Sequence, residues 1–137
     1  MQFKSDTIIK VEFYDLDPMD VVWHGNYVKY LEVARCDMLS KLDYTYVDMK
    51  NDGYAYPVAT MEMKYIKPCT FGQELTVVSI VEEIEPALVI KYVIFDNKTG
   101  EKMFKAKTMQ IAVDIKTRQT VYEAPINLKK KIDSYKG

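Results

Sequence analysis

The spacing of apolar residues takes two periods along this chain, and where they change dictates its architecture. From Asn26 onward Tyr27, Leu31, Ala34, Met38 and Leu42 recur every three or four residues, which places them on one face of an α-helix. After Pro57 the period falls to two. In PVATMEMKYIK, Ala59, Met61, Met63 and Tyr65 alternate with Thr60, Glu62 and Lys64, the pattern of a strand with one apolar face. ELTVVSIVEEI and ALVIKYVIF follow, parted by Glu85-Pro86, and the second is apolar on both faces, as a central strand should be. DNKTGE, residues 96 to 101, reads as a hairpin turn with Gly100 free to take a positive φ. Residues 102 to 115 read as one long strand and residues 117 to 119 as a turn. Ahead of the helix, IIKVEFY at residues 8 to 14 reads as a first strand. One long helix against a five-stranded antiparallel sheet is an α+β layout. A sheet so built needs cover for its other face or edge, which predicts a dimer.

Local signals refine the outline. Asn26 is placed to cap the helix, and Glu32 and Arg35 can pair one turn apart on its flank. Residues 44 to 53 predict a short helical turn ended by Gly53, and a short C-terminal helix starts near Pro125. Without a linker or repeat, residues 1 to 137 read as a single domain, long enough to bury roughly two-thirds of its unfolded surface.

The formal charge of −1 argues against a broad nucleic-acid surface. Cys36 and Cys69 form no metal or disulfide framework and read as small packing residues in a reducing compartment. The opening MQFKSDTIIKVEF is broken by charges and lacks a signal peptide's apolar core. No apolar run approaches the roughly twenty residues that span a bilayer. The expectation is a cytoplasmic protein.

Several enzyme templates fail. The five glycines are scattered, so there is no phosphate-binding loop. A single histidine makes a zinc site poor, and no serine near His24 sits in a nucleophile elbow. The loop before the helix survives. It holds Asp15, Asp17 and Asp20, the only tryptophan, Trp23, and the only histidine, His24. A helix start presents unpaired N–H groups and partial positive charge, and one such donor to a developing oxyanion is worth about 3 kcal/mol. A carboxylate, Asp15 or Asp17, can attack the same carbonyl or activate water to do so, with amides near His24 to Tyr27 as donors. Taken alone, Asp15 and Asp17 read first as turn formers around Pro18, and His24 as a packing residue. Lys105 and Lys107 share a strand face and read as a solvated edge before they read as phosphate contacts.

EFYDLDPMDVVWHGNYVKYLEVAR closely resembles the signature of the 4-hydroxybenzoyl-CoA thioesterase family, of hot-dog fold, which includes acyl-CoA thioesterases associated with the Tol–Pal system. Asp15, Asp17, Val22, Trp23, His24, Asn26, Tyr27, Glu32, Ala34 and Arg35 fall on its pattern, and YIKPCTFGQEL agrees beyond Pro57. The resemblance implies a long helix wrapped by an antiparallel sheet, and a dimer, often paired into a tetramer, with active sites between subunits. It implies hydrolysis of an acyl-CoA or acyl-carrier-protein thioester without a metal or organic cofactor. By position Asp17 matches the catalytic nucleophile or general base, and His24 the residue beside the substrate. Tyr14, Asp15, Val22, Trp23, Gly25, Asn26 and Tyr27 then line or support the substrate site, and Thr60, Met61 and Glu62 of the partner complete it. Many relatives carry glycine where this chain has Asp20, a residue that tolerates unusual backbone angles and adds negative charge near Asp17. Two rivals follow from the same fold. A dehydratase would need its histidine on a strand, whereas His24 precedes the helix; a non-catalytic dimer would bind acyl thioesters or a protein without turnover.

Overall fold

The computed structural model describes residues 2–135. In chain order it contains β1 (Lys4–Lys10), a 3-10 turn (Phe13–Asp15), α1 (Asn26–Leu42), α2 (Tyr46–Asn51), β2 (Tyr54–Ala55), β3 (Val58–Tyr65), β4 (Glu74–Glu83), β5 (Leu88–Asp96), β6 (Lys102–Gln110), β7 (Ala112–Asp114), β8 (Thr120–Val121) and α3 (Ile126–Tyr135). Five strands form one antiparallel sheet in the order β1-β4-β5-β6-β3, and α1 packs against it over β1 and β4. This is the α+β arrangement that the two apolar periods predict, and it fits the hot-dog fold that the resemblance implies.

The helix follows its pattern closely. Tyr27, Leu31, Ala34, Met38 and Leu42 are all buried, against Leu75, Val77, Ile90, Ile94 and Phe104 in one continuous core. Asp43, with φ 63°, ends the helix, and the Tyr44 amide donates back to the Leu39 carbonyl at 3.0 Å. The same period places Cys36 on the outward face, so it is exposed rather than packed, while Cys69 is buried. Arg35 turns inward instead of lying on the flank. It is 2% exposed, and its guanidinium pairs with Glu32 and donates to the Tyr46 hydroxyl at 2.6 Å and the Tyr92 hydroxyl at 3.3 Å. Tyr92 bonds Thr108 at 3.0 Å, and Gln110 Nε2 donates to Tyr46 at 3.1 Å, so helix, β5, β6 and α2 share one buried polar network.

Four local expectations are corrected. The first strand is Lys4–Lys10, earlier than residues 8 to 14, because its inward face carries hydroxyls: Ser5 and Thr7 are buried while Ile8 is 56% exposed. Thr7 Oγ1 donates to Asp37 on α1 at 2.5 Å, which ties that face to the helix. Asn26 is the first helical residue rather than the cap; Gly25 takes the cap position without a side-chain bond. The stretch from 102 to 115 breaks after Gln110, whose amide donates to the Tyr56 carbonyl at 2.7 Å. The chain then changes sheets, and β7 joins β2 and β8 in a second, three-stranded sheet that periodicity does not announce. Finally, β3 has its apolar face uncovered: Val58, Met63 and Tyr65 are exposed at the sheet's edge. The opposite edge, β1, carries Lys4, Asp6 and Lys10 instead.

Candidate active site

The loop from Val11 to Gly25 is held by a single buried carboxylate. Asp15 is 2% exposed and accepts from the Glu12 amide at 3.0 Å, the Tyr30 hydroxyl at 2.9 Å and Lys29 Nζ at 3.2 Å. Burial works against its ionisation, but these three donors outweigh it and hold the carboxyl below the usual aspartate range. Its own carbonyl accepts from the Trp23 amide at 3.0 Å and from Asn26 Nδ2 at 2.8 Å. Asp15 therefore ties the loop to the first two turns of α1. The same bonds explain why the chain leaves its strand at Lys10 for a 3-10 turn.

Between the Leu16 and Val22 bridge the chain makes a tight hairpin. The Asp17 amide donates to Val21 at 2.9 Å, and the Asp20 amide returns to the Asp17 carbonyl at 3.0 Å. Pro18 suits the second position of such a turn. Asp20 sits at φ 64°, in the left-handed region that glycine reaches freely and aspartate tolerates. Asp17 Oδ1 accepts from the Met19 amide at 2.8 Å, so the turn-forming role is real. Its Oδ2 has no partner among the described residues, and the side chain is only half-buried. The turn thus fixes the carboxylate while leaving one oxygen free.

The other half of the hairpin leads into the helix. The Val22 amide donates to the Cys69 carbonyl at 2.9 Å, and the Asn26 amide to Trp23 at 2.8 Å. Among the described residues, the amides of His24, Gly25 and Tyr27 have no hydrogen-bond acceptor. Gly25 is required for space, not for its backbone angle: a Cβ there would lie 2.3 Å from the Trp23 indole. The His24 ring is exposed, with its centroid 5.1 Å from that of Trp23, and the His24 carbonyl accepts from the Tyr65 hydroxyl at 2.9 Å. Tyr65 comes from the far end of β3 and packs edge-on against Tyr27, which stacks on Phe104 with centroids 4.6 Å apart.

The structure gathers Tyr14, Asp15, Asp17, Val22, Trp23, His24, Gly25, Asn26 and Tyr27 around this one turn and helix start. Their surroundings differ. Tyr14 is exposed under Lys29 Nζ, 5.1 Å from its ring centre. Val22 and Tyr27 are core residues, and burial pushes the Tyr27 hydroxyl far above its usual range. Burial likewise pushes the Cys69 thiol up, away from a neutral-pH nucleophile. Thr60, Met61 and Glu62 lie elsewhere in the same chain. At about 3.3 Å per residue along β3, Glu62 is ~10 Å and Thr60 ~16 Å from Tyr65. Met61 opposes the inward Thr108, whereas Glu62 opposes Lys107 on the other face. Sequence reasoning missed Tyr65, Lys29 and Tyr30; only the alternation of Met61, Met63 and Tyr65 hinted that Tyr65 faces the helix.

A half-buried carboxylate fixed by a turn, beside a helix start with free amides, is equipped to attack or hydrate an electrophilic carbonyl and hold the resulting oxyanion. The family model described as thioesterase-like superfamily matches residues 11–132. YneP of Bacillus subtilis, provisionally named an acyl-CoA thioesterase, is 30% identical over 77% of this chain and 77% of its own length. FadM of Escherichia coli, a long-chain acyl-CoA thioesterase, is 27% identical over 84% of this chain and 87% of its own. The crystal structure of a DHNA-CoA thioesterase from Staphylococcus aureus superposes with a TM-score of 0.86 at 29% identity, covering 97% of this chain and 91% of that one.

Proposed function

The chain belongs to the thioesterase-like superfamily, and on that premise we propose that it hydrolyses acyl-CoA thioesters with Asp17 acting at the reacting carbonyl. The observation that carries this reading is the free Oδ2 of Asp17, on a turn whose return strand ends at the unbonded amides of His24, Gly25 and Tyr27. As a general base, Asp17 takes a proton from the attacking water while those amides hold the oxyanion. The C–S bond then breaks, and CoA leaves as a thiolate that gains a proton. As a nucleophile, Asp17 forms a mixed anhydride with the acyl group, releases the thiolate, and water then hydrolyses the anhydride. His24, exposed beside this turn, positions the substrate.

Within the superfamily the loop motif favours the 4-hydroxybenzoyl-CoA thioesterase branch with its Tol–Pal-associated members. The relatives' names span aromatic and long-chain acyl groups, so both classes belong in a substrate panel, together with an acyl-carrier-protein thioester. Residues 1–137 act in this reading as one hot-dog domain, in the cytoplasm, where the unbonded Cys36 and Cys69 persist as thiols. The chain works as a homodimer joined along β3, paired again into a tetramer. In support, β3 exposes Val58, Met63 and Tyr65 along an unpaired edge. Antiparallel pairing there sets Thr60, Met61 and Glu62 of a second copy toward the helix start.

Thiol release from the panel, followed with a colorimetric reagent, tests the reading. Asp17→Asn keeps an oxygen for the Met19 amide and so preserves the turn; kcat falls by roughly 10²–10⁴-fold with little change in melting temperature. Full turnover in Asp17→Ala sinks the mechanism, and no turnover with any thioester favours a binding protein instead. A single turnover in ¹⁸O-water labels the Asp17 carboxylate only if it is a nucleophile.

A further inference from the structure

The start of α1 pairs a tight fit with a weak hold. Gly25 is imposed by space, since the Trp23 indole occupies the place of a Cβ. A residue without a Cβ leaves its backbone free to turn, and as the cap of α1 Gly25 supplies no side-chain bond. The peptide joining His24 to Gly25 thus has no local hold on its glycine side. Its N–H, that of Gly25, has no acceptor among the described residues. The carbonyl of the same peptide accepts from the Tyr65 hydroxyl at 2.9 Å, across 41 residues of sequence. That hydroxyl has one hydrogen to give, and the carbonyl lies well inside its alternative, the Met63 sulfur at 3.9 Å.

The phenol ring is itself held in place. It packs edge-on against Tyr27 of α1 and Phe104 of β6, with centroids 5.2 Å away in each case. We propose that Tyr65 is a positioning residue for thioester hydrolysis, its hydroxyl fixing the His24–Gly25 peptide so that the Gly25 amide points at the oxyanion. The proposal rests on the acyl-CoA reading above and adds to it a residue from β3. Two effects follow from the one bond. A peptide held at its oxygen does not swing its N–H away, so the donor is preorganised before the charge develops. A hydrogen bond accepted at the carbonyl also polarises the amide, strengthening its N–H as a donor by roughly 10–30%. Tyr65 is 47% exposed in the single chain; in the dimer along β3 the partner's strand closes this edge and keeps water from replacing the tyrosine.

Tyr65→Phe keeps the ring against Tyr27 and Phe104 and removes only the donor. Its kcat on an acyl-CoA falls roughly tenfold, a part of the 10²–10³-fold that outright loss of an oxyanion donor costs. KM moves less than about twofold, because the interaction is made in the transition state. Affinity for a trifluoromethyl ketone analogue of the acyl-CoA, whose adduct presents a tetrahedral oxyanion, falls by the same factor as kcat. Affinity for the alkyl-CoA thioether, which has no carbonyl, holds. A tyrosine that only packs would move neither kcat nor the ratio of these affinities. Two further replacements of Tyr65 judge the proposal even where Tyr65→Phe folds poorly. 4-Methylphenylalanine fills the hydroxyl's volume without donating and repeats the loss, whereas 4-aminophenylalanine restores an N–H donor and recovers most of the rate. The proposal is overturned by kcat within about twofold of wild type in both non-donating variants, by equal losses for thioether and ketone, or by no recovery with the amino group. Wild type that releases no thiol from any thioester defeats the thioesterase reading; wild type that turns over, with variants that match it, defeats only the role of Tyr65.

Discussion

Replacing Asp15 by alanine separates the role of this carboxylate from that of Asp17, two residues on. Asp15 is held by three donors, and they do not lose equally. Lys29 Nζ is attached to a half-exposed side chain and simply rehydrates, a loss of at most about 1 kcal/mol. The Tyr30 hydroxyl is buried, with Tyr30 1% exposed, and together with the Glu12 amide it is stranded at about 1–3 kcal/mol each. Part of this is returned because a buried charge is removed. The carboxyl nevertheless sits below its ordinary pKa in the folded chain, so the ionised form is favoured on balance. A net cost of about 3 kcal/mol follows, which for 137 residues lowers the melting temperature by ~10 °C. Turnover measured well below that temperature falls too, because the loop whose Asp15 carbonyl anchors Trp23 and Asn26 is no longer tied to Glu12, Lys29 and Tyr30. The pH dependence has a defined sign. A depressed folded pKa gives stability that is fully present above the unfolded value, near pH 4, and is lost as pH falls through the folded value. The gap between wild type and variant is therefore constant from pH 5 to 7 and narrows in acid. Thermal melts across that range, with thiol release at 15 °C, are the assay. A variant that melts within ~1 °C of wild type refutes the reasoning, as does a gap that stays open in acid.

Other perturbations reach different parts of the molecule. Gly25→Ala places a methyl against the indole and drives the half-exposed Trp23 outward. Since Trp23 is the only tryptophan, its emission shifts to the red, with a stability change under about 1 kcal/mol and reduced turnover. Arg35→Met takes one donor from each of the Tyr46 and Tyr92 hydroxyls, which keep Gln110 and Thr108 as partners, and costs about 1–3 kcal/mol in a denaturant titration. Arg35→Lys recovers little of it, because one ammonium cannot reproduce a planar fork aimed at Glu32, Tyr46 and Tyr92.

The elements that follow a single rule were legible from the sequence. The helix starts and stops where its apolar stripe does, β4 and β5 alternate or bury as their patterns require, and Gly100 adopts the φ of 76° that the hairpin needs. Where a polar side chain decides the structure, periodicity misleads. β1 was displaced because Ser5 and Thr7, not Ile8, face the helix. The break after residue 110 depends on a glutamine side chain reaching the Tyr56 carbonyl. In the candidate site, the cluster of acids was visible but their division of labour was not. Asp15 and Asp17 look alike in sequence. The donors that bury Asp15, Lys29 and Tyr30, lie 14 and 15 residues away, and only the folded helix brings them back. Tyr65 was hidden for the same reason, 41 residues from the carbonyl it holds.

The unbonded amides at the start of α1 have a consequence for how order in this region should be measured. Among the described residues the amides of His24, Gly25 and Tyr27 have no acceptor, so they exchange their hydrogens with solvent quickly. The peptide frame around them is nonetheless fixed on both sides, by Asp15 through Trp23 and Asn26 and by Tyr65 through the His24 carbonyl. Hydrogen exchange therefore marks as loose a segment that is geometrically among the best held. A bound oxyanion mimic slows those same amides without moving the backbone.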